Sequence, residues 1–222
     1  QARWGTHGDH TIIALAPATV QECYDMMIEA FNLAERFSAP VLFLMDATLG
    51  HLREKIVLRD EEQLRVEVVP RRKPDIAPED YLPYKPNDKK VPHLSAYGDQ
   101  HILRVTSLVH NEKGYSSGNA EVSRALAERL ERKITDFQDE LPEAKYYGPE
   151  QPDAVVISYG TSARAARAAV KSYNDSENNG IGMLDLKTIW PFPEKKIKEI
   201  CAKAATVFVA EMIKGQIVME VD

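Results

Sequence analysis

Two short apolar runs, Thr11 to Ala16 (TIIALA) and Val41 to Met45 (VLFLM), flank a single amphipathic helix pattern, and this arrangement constrains the fold more than any other feature of the chain. Runs of this length, rich in aliphatic and β-branched residues, read as buried strands. Between them, Thr19-Val-Gln-Glu22 has the form of a capping box, in which the Thr hydroxyl takes an orphan N–H and the Glu reaches back. The helix it opens runs to about Phe37, with Val20, Tyr24, Met27, Ile28, Phe31 and Ala34 as its apolar stripe at spacings of three and four. Pro40 stops it. Strand, helix and strand in so short a span make a βαβ unit, hence a parallel sheet with a right-handed crossover.

The same pattern returns near the end of the chain. Ala154 to Ser158 is a strand, and Tyr159-Gly160-Thr161-Ser162 turns into an Ala-rich helix ending near Tyr173. After a turn from Asn174 to Gly180 come a strand, Ile181 to Leu186, and a helix started by Pro191-Phe192-Pro193, with Pro193 near its first turn. Thr206 to Ala210 supplies a third strand, and Trp190 is placed to close the domain. This β-α-β-α-β run is a small parallel-sheet domain. The fold class is therefore α/β, with two units that both use the βαβ idea.

The middle of the chain is different. Leu64 to Val69 alternates and reads as an edge strand. Six prolines between Pro70 and Pro92 give extended, irregular chain, a wrapping arm or linker. His101 to Leu108 reads as a further strand. Asn119 caps a charged helix from Ala120 to about Glu140, with Val122, Leu126, Leu130, Ile134 and Phe137 on one face, and Leu141-Pro142 ends it. The organisation expected is thus 1–69, 70–148 and 149–222.

Composition excludes several functions. The net charge of −6 argues against nucleic acid as partner, since binding phosphates needs a basic surface, and Arg71-Arg72-Lys73 is too short to reverse it. The two cysteines, Cys23 and Cys201, form no metal-binding spacing, so neither an iron–sulfur cluster nor a structural zinc is expected on this chain. They suit a reducing compartment. No run approaches the length of a membrane span and no signal peptide is visible, so a cytoplasmic protein is expected. The Gly- and His-rich opening at Gln1, and an end inside Met219 to Asp222, suggest a chain that starts and stops in mid-element.

All six histidines, His7, His10, His51, His93, His101 and His110, fall in the first half of the chain. Histidine is the side chain most suited to proton transfer near neutral pH. The densest polar cluster runs from Arg3 to His10. Arg3 can grip a carboxylate in a bidentate fork, and His7, Asp9 and His10 can move protons or ligate a metal. The same residues also suit a structural loop in which Thr6 and Asp9 bond local backbone. Asp46, His51, Arg53 and Glu54 leave the carboxyl end of the second strand, the edge at which open α/β sheets bind ligands. They read as a pocket rim or subunit contact, or as a capped helix start with surface charges. Tyr159 to Ser162 suits an anion at a helix N-terminus, or a plain cap.

Taken together, Gln1-Ala-Arg-Trp-Gly-Thr-His-Gly-Asp-His10, Ala16-Pro-Ala-Thr-Val-Gln-Glu22 and Gly50-His-Leu-Arg-Glu54 resemble the alpha subunit of 2-oxoacid:ferredoxin oxidoreductases, of the 2-oxoglutarate type above all. Val105-Thr-Ser-Leu-Val-His-Asn-Glu-Lys-Gly-Tyr115, Leu186-Lys-Thr-Ile-Trp-Pro-Phe-Pro193, Glu211-Met and Gly215-Gln216 continue the likeness in order along the whole chain. The resemblance implies oxidative decarboxylation of a 2-oxoacid with coenzyme A to an acyl-CoA, carbon dioxide and reduced ferredoxin, an activity of anaerobic metabolism. It implies thiamine diphosphate with Mg²⁺, shared in a heterodimer whose beta subunit supplies the diphosphate and magnesium site and an iron–sulfur cluster. Residues 1–69 would be the C-terminal part of a pyrimidine-binding-type domain, and 149–222 a smaller domain like the transketolase C-terminal one. His7 would be the catalytic contact, with Arg3, Thr6, Asp9 and His10 near substrate or cofactor. Asp46, His51 and Arg53 would lie at the pocket rim or the beta-subunit interface. The family's Tyr-Pro-Ile-Thr-Pro motif and its substrate arginine would precede Gln1, and Ala47 stands where relatives often carry an acid. The other reading open to the residues is a non-catalytic assembly module that holds a partner subunit.

Overall fold

The computed structural model describes residues 2, 3, 5, 10–176 and 180–221. Strand β1 (Ile13–Leu15) leads into α1 (Val20–Phe37), which returns the chain to β2 (Val41–Phe43). β1 and β2 pair in parallel, Ile13 opposite Val41 and Leu15 opposite Phe43, as the βαβ pattern predicts. Thr19 caps α1, accepting from the Glu22 amide at 3.1 Å. The reciprocal half of the box is shifted by one residue, because Glu22 accepts from the Ala18 amide at 2.9 Å and spends its remaining capacity on lysines elsewhere.

The buried face of α1 is not the expected stripe. Met26, Ala30, Leu33 and Phe37 pack on Ile13 and Leu15 of β1 and on Ile134 and Leu141 from later in the chain. Met27 and Phe31 face outward, 40 % and 72 % exposed. Both stripes satisfy helical spacing, and only the position of β1 decides between them. β2 is likewise an edge strand, half-buried rather than buried, and Leu44 and Met45 beyond it are exposed.

Two expected strands are corrected. Leu64 to Val69 lies largely in a helix, α3 (Glu61–Glu67), which follows the short α2 (Ala47–His51). Asp60 and Gln63 form a complete capping box, with bonds of 2.8 and 2.9 Å, and this local signal outweighs the alternation of Leu64, Val66 and Val68. Buried Asn32 of α1 then holds the end of α3, donating to the Glu67 carbonyl and accepting from the Val69 amide. His101 to Leu108 forms no strand. Ile102, Val105 and Leu108 are exposed, and the Arg104 carbonyl is met by the Tyr84 phenol at 2.7 Å instead of by a neighbouring strand. The Pro-rich segment is irregular apart from one 3-10 turn (Pro78–Asp80), as its composition requires.

Asn119 caps α4 (Ala120–Thr135) through two amides. A second sheet follows, ordered β3 (Lys145–Tyr147), β5 (Ile181–Leu186), β4 (Ala154–Tyr159), β7 (Thr206–Ala210). β5, β4 and β7 are parallel, and β3 is an antiparallel edge. Helix α5 (Gly160–Ser176) runs three residues past its expected end and packs on one face, with Ala163 and Val170 against Met183 of β5. Helix α6 (Glu194–Cys201) packs on the other through Val155, Ile157, Leu184 and Ile197. Trp190 belongs to β6 (Thr188–Trp190), which leaves this unit and pairs antiparallel with β1, so the first sheet is ordered β2-β1-β6. The last helix is α7 (Val218–Val221). Among the described residues no helix is long and apolar enough to cross a membrane.

Candidate functional site at the carboxyl edge of the first sheet

Where β2 ends, Asp46 caps α2, one carboxylate oxygen accepting from the Leu49 amide at 2.8 Å. Its other oxygen reaches the second unit and accepts from the Thr161 amide at 3.0 Å and from the Thr161 hydroxyl. Gly160, with φ of 58°, makes the sharp turn from β4 that aims the first amides of α5 at this carboxylate. The anion suited to that helix N-terminus is therefore a side chain of the same protein. Burial works against the charge of Asp46, but the Thr161 and Leu49 bonds outweigh it and hold the carboxyl below its ordinary range.

A second tie lies at the other end of the same segment. Glu54 pairs with Arg164, one turn along α5 from Thr161, at 2.5 Å, and accepts from the Val20 amide, an orphan donor at the start of α1, at 3.1 Å. The Arg164 bond and then the Val20 amide hold Glu54 below its ordinary range. Residues 46–54 are thus stapled at both ends to α5, and α2 is oriented by the C-terminal unit.

A third tie is buried. Glu22 receives Lys145 at 2.8 Å and Lys187 at 2.6 Å, and Lys187 also binds Asp185 at 2.7 Å. Lys187 and Asp185 are almost wholly buried. Burial alone would raise the Glu22 carboxyl, yet the two lysines bring it down to about 2. For Asp185 the balance is opposite: burial outweighs Lys187 and raises its carboxyl, and one of its oxygens has no hydrogen-bond partner among the described residues. Cys23, beside these acids, is held protonated by burial and then by the charges of Glu22, Asp46 and Glu54. Its sulfur lies 3.6 Å from that of Met45.

The residues expected at the site fall into three groups. Thr6, His7 and Asp9 lie outside the described residues. Arg3 grips Glu220 of α7 at 2.5 and 2.6 Å and lies 5.0 Å from the centre of the Trp190 ring; His10 is half-buried just before β1. Asp46, His51 and Arg53 share the stapled segment, with His51 and Arg53 exposed at the end of α2 and beyond it. Thr161, Arg164, Lys187 and Glu22 were not singled out as site residues by sequence, though the anion-suited turn at Tyr159 to Ser162 carried a signal for Thr161.

What the edge can hold follows from its donors. Exposed Leu44 and Met45 suit a flat apolar ring. Among the described residues no group of three or more His, Cys, Asp or Glu could hold a metal ion, and the α5 N-terminus is filled by Asp46. A diphosphate with its metal would need ligands from beyond the described residues.

Known proteins match both units of the chain. The family described as pyruvate flavodoxin/ferredoxin oxidoreductase, thiamine diphosphate-binding, matches residues 1–129, and pyruvate:ferredoxin oxidoreductase core domain II matches 152–222. The 2-oxoglutarate synthase subunit KorA of Methanothermobacter thermautotrophicus is 40 % identical over all of this chain and 58 % of its own length, and that of Methanocaldococcus jannaschii is 39 % identical with the same coverage. The ketoisovalerate oxidoreductase subunit VorB of M. thermautotrophicus is 27 % identical over 96 % of this chain and 52 % of its own length. The chain thus spans little more than half the length of the curated relatives it matches. The 2-oxoglutarate:ferredoxin oxidoreductase structure from Magnetococcus marinus shares the fold, with a TM-score of 0.83, at 21 % identity over all of this chain and 39 % of that one. The chain belongs to the pyruvate flavodoxin/ferredoxin oxidoreductase family, with the thiamine diphosphate-binding domain followed by core domain II.

Proposed function

We propose that this chain forms part of the alpha subunit of a thiamine diphosphate-dependent 2-oxoacid:ferredoxin oxidoreductase that converts 2-oxoglutarate and coenzyme A to succinyl-CoA, carbon dioxide and reduced ferredoxin. The observation that carries this reading is the 40 % identity to a 2-oxoglutarate synthase subunit across the entire chain. Thiamine diphosphate, when bound, supplies the electron sink for decarboxylation. A beta subunit would supply the diphosphate and Mg²⁺ ligands and the iron–sulfur cluster. In this reading residues 1–69 face the cofactor, 70–148 wrap the assembly and 149–222 support it. The exposed apolar lip at Leu44 and Met45 contacts the cofactor ring and excludes water. His51 and Arg53, held in place by the Asp46 and Glu54 staples, line the rim or the beta-subunit contact. Arg3, Thr6, Asp9 and His10 lie near the substrate, with His7 as the proton-handling contact. A cytoplasmic location, away from membrane and nucleic acid, belongs to the same reading.

The test is turnover of the full-length subunit co-expressed with its partner, followed by CoA-dependent reduction of a viologen. The expected kcat/KM is highest for 2-oxoglutarate and lower for pyruvate and branched 2-oxoacids. No thiamine-dependent turnover with any 2-oxoacid sinks the proposal. Replacing His7 by Ala should lower kcat/KM, and an unchanged value removes His7 from the site. A second reading, a non-catalytic assembly module, is favoured by one observation: Asp46, Glu54 and Glu22 are all engaged within the chain. It requires a stable complex with the partner that binds no thiamine.

A further inference from the structure

Where the Pro-rich arm folds back over the C-terminal turn of α1, at the opposite end of that helix from Val20 and Glu22, it leaves a cavity of about 560 Å³. That volume is in the range of small-ligand pockets, roughly 300–1,000 Å³. The charges lining it are mostly positive: Arg36, Arg71, Arg72 and Lys89 against Glu35 alone.

Local pairing does not cancel this excess. Glu35 is taken by Arg71, at 2.5 and 3.0 Å. Glu140, from outside the lining, is shared by Lys89 at 2.7 Å and Arg36 at 3.5 Å. Arg72 has neither ion pair nor hydrogen bond among the described residues. The C-terminus of α1 would contribute a negative pole, but the carbonyl of its cap residue, Ser38, accepts from the buried Lys133 ammonium at 2.7 Å. An acidic chain thus carries a local positive field in a concave site. The apolar part of the lining includes Val69, Pro92, Leu94, Tyr97 and Leu103, and Ser38, Asn87, His93 and Ser95 add neutral polar groups. Val91, Pro92 and Ser95 are buried, so this wall is fixed.

We propose that this cavity binds an organic phosphate of nucleoside-diphosphate size, its phosphates held by Arg72 and Lys89 and its ring against Pro92, Leu94 and Tyr97. The site is separate from the proposed oxidoreductase centre. The test is calorimetric titration of the full-length subunit, in complex with its partner, with ADP and with inorganic pyrophosphate. ADP is expected to saturate with a Kd below about 1 mM, and pyrophosphate to compete more weakly. Arg72→Glu is expected to weaken ADP at least about tenfold without lowering the melting temperature, since Arg72 is exposed and unpaired. Arg72→Gln, which removes the charge without reversing it, is expected to weaken ADP by a smaller factor. Arg124→Glu, on the exposed face of α4, is expected to change nothing. Absence of saturation, unchanged ADP affinity in both Arg72 variants, or pyrophosphate binding as tightly as ADP overturns the proposal. Viologen reduction in the same preparations reports separately on the oxidoreductase reading: its loss in the parent enzyme leaves the ADP isotherm to stand or fall by itself.

Discussion

The two sheets of this molecule are built to different standards of closure. The second has β5 and β4 of six residues each, helices on both faces and a buried centre at Val155, Ile157 and Leu184. The first has strands of three residues and, among the described residues, an uncovered edge at β2, with Leu44 and Met45 beyond it and Phe31 of α1 facing outward. A sheet that covers itself stabilises the chain; one that leaves an apolar edge open is shaped for contact. The first sheet also borrows its outer strand, β6, and the orientation of α2 from the second unit. The difference teaches that in this chain stability and recognition are divided between the halves, and that the recognising half depends on the other for its geometry.

The sharpest way to break this comparison is to open a hole in the self-contained sheet. Ile157→Ala, at a side chain with no exposure, is expected to cost about 3–4 kcal/mol in chemical denaturation. A cost near zero would mean that the second sheet is not the stabilising half. Next comes the buried link between the halves. Glu22→Gln leaves Lys187 with Asp185 alone and is expected to cost about 3 kcal/mol at neutral pH. The pH dependence has a definite sign. Glu22 titrates at about 2 in the folded chain against 4.5 ordinarily, so folding favours its charged form. Its contribution is whole above about pH 4.5 and is lost as pH falls toward 2. Asp185 runs the other way: its raised carboxyl favours folding in acid and loses that benefit as pH rises above 3.8. Denaturation measured from pH 2 to 7 should therefore show the acid loss in the parent and a reduced loss in Glu22→Gln. Identical profiles would remove Glu22 from the link.

How much of this was legible beforehand depended on range along the chain. Thr19 and Glu22 announce the start of α1 because a cap is a bond between neighbours. Asp60 and Gln63 cap α3 by the same logic, a signal that the alternation of Leu64, Val66 and Val68 hides by resembling a strand. Helical spacing alone admits both Met27–Phe31 and Met26–Ala30–Leu33 as the inner face of α1, and the choice belongs to β1 and Ile134. The tie between Asp46 and Thr161 could not be read at all: each residue announced a helix cap, and nothing local says that one carboxylate serves both helices.

Smaller effects sharpen the same contrast. Asp46→Ala removes the cap of α2 and the anion at α5 together, and is expected to cost about 1–2 kcal/mol. Hydrogen exchange should speed up at Leu49 and Thr161, whose amides it binds, and unchanged protection at Thr161 would dissolve the staple. Smallest is Phe31→Ala. At 72 % exposure it should change stability by less than about 0.5 kcal/mol, and a larger loss would show that the outer face of α1 is covered within this chain after all.

The borrowed strand has a consequence for how the protein is made. Leu15 of β1 finds its antiparallel partner in Thr188, near the far end of the chain. At translation rates of about 5–20 residues per second, β1 waits on the order of 10 to 35 seconds for that partner to be synthesised. Throughout that interval an apolar strand leaves the ribosome with one flank unpaired. The nascent chain is therefore most exposed to aggregation before the second unit appears, and a ribosome stalled ahead of β6 would present the first sheet to chaperones as unfinished.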